Sequence, residues 1–186
     1  MLRTCRFMES HSEVLFIGGR SGVGKSSVGN EIHTQLATLG VRHCFIEGDN
    51  LDMAYPPPWE HGLAERNLSA MWRNYTSIGY SRLIYVNTAS VQVVDELVAA
   101  MGDDPRVTAV LLTATDATAR ERLAKREIGS ALIWHVDRSK QVAEELDDAT
   151  PDWIHRVSTD DRSVADISQE LIGLTGWDDP PQAPAQ

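Results

Sequence analysis

Cysteine is nearly missing from this chain: two occur in 186 residues, Cys5 and Cys44. Two such isolated thiols make neither a disulfide framework nor a cysteine-rich zinc site, so a reducing, cytoplasmic setting is the expectation. Positive charge is also short, with 17 Lys and Arg against 27 Asp and Glu and a formal net charge of -10. That balance argues against general binding to a nucleic-acid backbone, although local basic clusters can still grip small anions. No apolar run is long enough to cross a bilayer, and the opening MLRTCRFMESHSEV lacks the continuous apolar segment of a secretory signal. Internal repeats are absent as well, which leaves an ordinary globular chain of a length that usually folds as one domain.

What is present is an alternation of strand and helix signals. Val14 to Gly18 is a short, wholly apolar run stopped by glycine, as expected of a central parallel strand buried on both faces. From Lys25 to about Leu39, Val28, Ile32, Leu36 and Leu39 share one helical face, and Gly40 supplies a stop. Further strands are expected at His43–Glu47, Arg82–Asn87, Val107–Thr113 and Ile154–Ser158. Val94, Leu97, Val98 and Met101 form a helical stripe before Gly102, and Asp116 is expected to cap a helix running through Leu123. Ser163 with Asp166 reads as another cap, followed by a buried face of Val164, Ile167, Leu171 and Leu174. This order implies a three-layer α/β sandwich with a parallel sheet.

The first strand runs into GGRSGVGKSS, Gly18 to Ser27, which matches G-x-x-x-x-G-K-S/T from Gly19 to Ser26. Average residue frequencies produce the bare pattern by accident in roughly one chain of this length in a hundred. A strand before it and an amphipathic helix after it make accident rarer. Glycines let the main chain wrap phosphate oxygens, N–H groups point inward, and the positive helix end adds attraction. The expected nucleotide cradle is therefore Gly19, Arg20, Ser21, Gly22, Val23, Gly24, Lys25, Ser26 and Ser27, with Lys25 reaching the β- and γ-phosphates and Ser26 on Mg2+. The second strand ends in IEGDN, and strand ends of a parallel sheet open into a common crevice. Asp49 is thus a candidate base for an acceptor hydroxyl, a substrate contact, and a second metal ligand beside Ser26. An Asp preceding Asn also suits a plain turn.

Together, GGRSGVGKSS and the strand-end IEGDN resemble the small P-loop kinases, most nearly the adenylylsulfate kinase group, which combines a similar loop with a Gly-Asp-Asn turn. Gluconate and shikimate kinases and antibiotic-modifying or resistance P-loop proteins are more distantly similar. The resemblance implies a five-stranded sheet in the order 2-3-1-4-5 and a helical lid. It is strong over residues 14 to 50 and faint in the arginine-rich segment and in HRVSTDDRSVADIS. Two departures stand out. Leu51-Asp52-Met53 follows the Gly-Asp-Asn turn where an adenylylsulfate kinase places an arginine, and Asn87 ends the third strand where many P-loop enzymes carry an aspartate.

The expected division is a flexible segment 1–12, one kinase-like domain 13–177 and a disordered proline-rich tail 178–186. Within the domain, 52–80 reads as a substrate-covering insertion and 120–148 as a mobile lid. Arg122 and Arg126 are four apart and share a helix face that can neutralise charge on a transferring phosphoryl group, with Arg138 as a third candidate. Glu121 and Glu127 among them equally suit a solvated ion-paired face. In the insertion, Tyr55, Trp59, Arg66 and Asn67 are the candidate acceptor contacts, whereas Trp72 and Tyr75 fit the core better. His135 and His155, without metal-like companions, read as structural or surface residues. The resulting expectation is an ATP- and Mg2+-dependent kinase of a small hydroxylated molecule, with no nucleic-acid or membrane partner and a homodimer as a possible assembly. The alternative is an ATP-binding or ATP-hydrolysing switch or resistance protein without efficient transfer.

Overall fold

The computed structural model describes residues 11–125 and 130–178. Five strands form one parallel sheet: β1 (Glu13–Gly18), β2 (Cys44–Glu47), β3 (Arg82–Val86), β4 (Arg106–Thr113) and β5 (His155–Ser158). Their order is β2-β3-β1-β4-β5. Around them lie α1 (Lys25–Thr38), α2 (Leu63–Ser77), α3 (Val94–Met101), α4 (Asp116–Ala124), α5 (Ser130–Ala149) and α6 (Val164–Thr175).

β1 shows why the sheet sits in the middle. Val14 and Phe16 pack with Leu68 and Trp72 of α2, Leu97 and Met101 of α3 and Leu146 of α5. Leu15 and Ile17, pointing the other way, pack with Val28 and Ile32 of α1 and Ile167 and Leu171 of α6. A strand buried on both faces needs an unbroken apolar sequence, and VLFIG supplies it. The close fit extends to the helices: a Cβ on Gly29 would stand 2.7 Å from Val86 Cγ2 and 2.8 Å from Phe45, so α1 lies hard against the sheet.

Several local expectations are corrected. Thr115, not Asp116, caps α4, its hydroxyl accepting from the Thr118 N–H. The Asp116 carboxylate is instead paired with the Arg20 guanidinium. Ser163 does cap α6, accepting from the Asp166 N–H at 3.1 Å, but Val164 is exposed rather than part of the buried face. Within the segment 52–80, α2 occupies half the residues and sends Leu68 and Trp72 into the core. No helix among the described residues is long and apolar enough to cross a membrane.

Because all five strands are parallel, their C-terminal ends emerge on one side of the molecule. The glycine loop after β1, the Gly48–Asn50 turn after β2, Asn87 after β3 and Thr159 after β5 all stand there.

Candidate active site

The loop between β1 and α1 is shaped by three glycines in the left-handed region, Gly19 (φ 141°), Gly22 (φ 84°) and Gly24 (φ 104°). At two of them crowding reinforces the torsional demand. A Cβ on Gly19 would stand 2.6 Å from the Leu112 carbonyl, and one on Gly22 would stand 2.7 Å from the Ala119 carbonyl. Gly24 is the N-cap of α1 and offers no side-chain oxygen to the first turn, which also lacks an acidic residue. The orphan N–H groups and the positive end of the helix are thus left for an anion.

Lys25 is 8% exposed, and its Nζ donates to the Arg20 carbonyl at 3.2 Å across the mouth of the loop. A cavity of about 220 Å3 lies here, lined by Ser21, Gly22, Gly24, Lys25, Ser26, Ser27, Asp49, Leu123 and His135. The structure thereby gathers Lys25, Ser26 and Asp49 from two strand ends into one space. A larger cavity of about 320 Å3 between the end of β4 and α5 has Arg20 and Asp116 in its wall, but neither Lys25 nor Asp49.

Asp49 is aimed by its neighbours. Asn87 Nδ2 donates to Asp49 Oδ1 at 2.7 Å, and the Asn87 oxygen accepts from the Ala89 N–H at 2.8 Å, which fixes the amide's orientation. The residue at the end of β3 thus holds this carboxylate from the side. Gly48 completes the turn for a steric reason. A Cβ there would lie 2.4 Å from both the terminal ring carbon and the phenol oxygen of buried Tyr85. The sequence reading passed over Glu47, the half-buried last residue of β2. Burial pushes its carboxyl above the usual range, a hydrogen bond with Ser26 pulls it down, the Asp49 charge raises it and the Lys25 charge lowers it. Its signal was available, one residue before the Gly-Asp-Asn turn on a strand whose end faces the cradle.

The arginines expected to form a lid are placed differently from one another. Arg122 NH1 donates to the Val23 carbonyl and to Thr159 Oγ1, each at 2.9 Å, and its NH2 donates to the Thr159 carbonyl at 2.9 Å. The Thr159 hydroxyl lies 3.1 Å from the Val23 carbonyl and 3.2 Å from that of Thr113. Arg122 and Thr159 therefore brace the back of the loop against β4 and β5. Arg138 faces Glu145 at 3.7 Å on an exposed side of α5. Arg126 lies outside the described residues. Arg20, expected to face a nucleotide, is 4% exposed and turned away, held by Asp116 and by Ser139 Oγ at 2.9 Å from its Nε. His135, read from sequence as structural or surface, instead lines the cavity.

The candidate acceptor contacts are scattered. Tyr55 is 97% exposed, Trp59 opens the short turn 59–61, Arg66 is exposed on α2, and Asn67 donates its amide to the Leu51 carbonyl. Neither Tyr55, Arg66 nor Asn67 lines the cavity. The charges that bear most on buried Tyr85, after burial itself, come from Asp49, Glu65, Asp52 and Glu47, and all raise its phenol. Of these carboxylates, Asp49 lines the cavity.

No protein-family model matches the chain, and no curated protein matches it. Solved structures do. The tunicamycin resistance protein of Deinococcus radiodurans superposes with a TM-score of 0.61 at 17% identity, over 89% of this chain and 96% of that one. The APS kinase of Mycobacterium tuberculosis, in complex with AMPPNP and APS, gives 0.59 at 20% identity over 88% and 97%. A gluconokinase from Sinorhizobium meliloti gives 0.58 at 19% over 89% and 93%. Identities this low speak to architecture alone, and what they show is that this chain has the α/β fold of the P-loop kinases.

Proposed function

We propose that the protein transfers the γ-phosphate of ATP to a hydroxyl of a small molecule. One observation carries this reading: Asp49, oriented by Asn87, shares a cavity with Lys25, Ser26 and the open end of α1. A nucleotide cradle alone would suit any ATP-binding protein. A fixed carboxylate opposite it is what an incoming hydroxyl needs. In this scheme the loop amides and Lys25 bind the triphosphate, and Asp49 takes the acceptor's proton. The Arg122–Thr159 brace keeps the loop in its binding shape.

The donors also fit Mg2+. Ser26, Asp49 and Glu47 offer hard oxygens in one place, with Ser26 near enough to Glu47 to lower its carboxyl. Among the described residues no three His, Cys, Asp or Glu side chains make a ready metal cage. That suits an ion bound by one or two protein oxygens together with phosphates. When bound, Mg2+ would neutralise charge on the phosphate oxygens.

The acceptor is drawn here as neutral or cationic. Asp49 lines the site, Glu47, Asp52 and Glu65 act with it on the phenol of Tyr85 against which the Gly48 turn packs, and Leu51 follows that turn where an arginine would greet an anionic acceptor. A sulfated nucleotide or a sugar acid would meet repulsion there. The deciding experiment is incubation with ATP, Mg2+ and a pooled library of hydroxylated metabolites and antibiotics, read by phosphorus NMR or mass spectrometry for a new phosphate ester. The result expected is an ester of a neutral or amine-bearing compound that disappears with Asp49→Asn.

A second reading, ATP binding or hydrolysis without efficient transfer, draws on Asn87. The end of β3 carries an amide rather than a carboxylate, and that amide occupies one oxygen of Asp49. Under it, ATP is bound, no pooled compound is phosphorylated, and Asp49→Asn leaves ATP binding and hydrolysis unaffected.

A further inference from the structure

The glycine loop contains a tight turn whose central peptide is held from outside the loop. The Val23 N–H donates to the Arg20 carbonyl at 3.3 Å, closing a four-residue turn from Arg20 to Val23. Gly22, third in that turn, has φ 84°. That matches the value of about +80° in a type II turn rather than the value of about −90° in type I. The two types differ by a flip of the central peptide, here the one joining Ser21 to Gly22. Ser139 of α5 is 3% exposed; its hydroxyl donates to the Ser21 carbonyl at 2.8 Å and accepts from Arg20 Nε at 2.9 Å. Because an arginine N–H only donates, the single Ser139 proton is committed to Ser21. Arg20 is buried and paired with Asp116, so this anchor is itself fixed. In a trans peptide the carbonyl and the N–H point opposite ways. With the Ser21 carbonyl drawn to α5, the Gly22 N–H is directed away from Ser139, and no acceptor among the described residues takes it. Gly22 lines the cavity that holds Lys25 and Asp49. The Val23 carbonyl is held in the same manner by Arg122 and Thr159, and the N–H of that peptide belongs to Gly24.

We infer that Ser139 is a positioning residue for phosphate binding: anchored by Arg20, it selects the turn in which the Gly22 N–H faces a phosphate oxygen of the nucleotide. The inference rests on the nucleotide-binding half of the phosphotransferase reading above. Part of the cradle's shape is then carried by a helix 118 residues away from the loop in sequence. Without the Ser139 hydroxyl the Ser21 carbonyl loses its donor. Gly22 accepts the φ of either turn type, so the peptide is released to turn over. The flip puts a carbonyl oxygen where a phosphate needs an N–H. Gly24, whose peptide is held by Arg122 and Thr159, keeps its direction.

The test follows the Gly22 and Gly24 amides by proton–nitrogen NMR, with affinities from titration calorimetry, as a non-hydrolysable ATP analogue and Mg2+ are added to the full chain. In the parent both amide protons are expected to move downfield as charge-assisted bonds to phosphate form. Ser139→Ala, which places a strong helix former in α5, is expected to bind about tenfold more weakly, the size of one hydrogen bond to a charged group. Its Gly22 proton stays near the free position while its Gly24 proton still moves. A parent that does not bind the analogue defeats the phosphotransferase reading and this inference with it. Where the parent binds, a Gly22 proton that ignores the analogue overturns the inference alone, before any variant is made. So does a Ser139→Ala protein of unchanged affinity, or one in which Gly22 and Gly24 respond alike, the mark of a general loosening.

Discussion

At the start of β1, Glu13 is surrounded by donors: Arg82 Nε at 3.1 Å, the Arg106 guanidinium and the Trp177 indole N–H at 3.1 Å. At the end of β2, Glu47 and Asp49 meet a serine hydroxyl, a lysine shared with the glycine loop and one asparagine amide. Burial works against the charged form at Glu13 too, yet the hydrogen bonds of Arg106 and Trp177 and the charges of Arg106 and Arg82 hold its carboxyl below the usual 4.5. At Glu47 burial prevails and the carboxyl is raised. The same residue type, at opposite ends of one sheet, is satisfied in one place and left with negative charge to spare in the other. Stability is concentrated where Glu13 ties β1, β3 and β4 to the end of α6, and binding capacity where no such partners are given.

The sharpest way to break that contrast is at Asp49. Asp49→Asn is expected to slow phosphotransfer about 10²- to 10⁴-fold, the usual contribution of a general base, while ATP affinity and melting temperature hardly move. A matching loss of stability would show that the carboxylate belongs to the scaffold after all. Gly48→Ala tests whether the turn is sterically set. Its new methyl would collide with Tyr85, costing about 3 kcal/mol in urea unfolding and displacing Asp49, so activity should fall as well.

Glu13→Gln probes the opposite end. It should cost about 2 kcal/mol at pH 7, a figure that allows for solvent screening because Arg106 is more than half exposed, and leave nucleotide affinity intact. The sign follows from the lowered carboxyl: its stabilisation is present above the unfolded value near 4.5 and is lost as pH falls through the folded one. Chemical denaturation of parent and variant should therefore converge as pH falls below the folded carboxyl's lowered value. The smallest effect belongs to Thr159→Val, which removes the hydroxyl bridging Val23 and Thr113. About 1 kcal/mol of stability should go, with ATP affinity down severalfold as the loop loosens.

Much of this architecture could be read before any coordinates. The glycine loop is a contiguous pattern, and the apolar run of β1 has one physical reading, so strand, loop and helix α1 followed directly. The sheet order came with the resemblance to P-loop kinases. Asp49 was marked because a strand-end carboxylate is a local signal. What escaped depends on pairs remote in sequence. Nothing near Ser139 announces that it bonds Ser21, and without that contact the direction of the Gly22 N–H is undetermined. Arg20 and Arg122 were assigned by residue type to the phosphates, but type does not reveal that their donors are taken by Asp116 and Ser139, or by Val23 and Thr159. Trp72 was placed in the core from its residue type; what the prolines of the insertion hid is the helix that carries it there, one turn from Leu68.

Trp177 sits 2% exposed just beyond α6, its indole bonded to the first residue of β1. The last described residues therefore lie at the pole of the molecule remote from the glycine loop. A tag or surface linker joined behind residue 178 would hang clear of incoming nucleotide, so immobilised protein should keep its binding face open to solution. Trimming two residues further, through the indole, would unpin the base of the sheet.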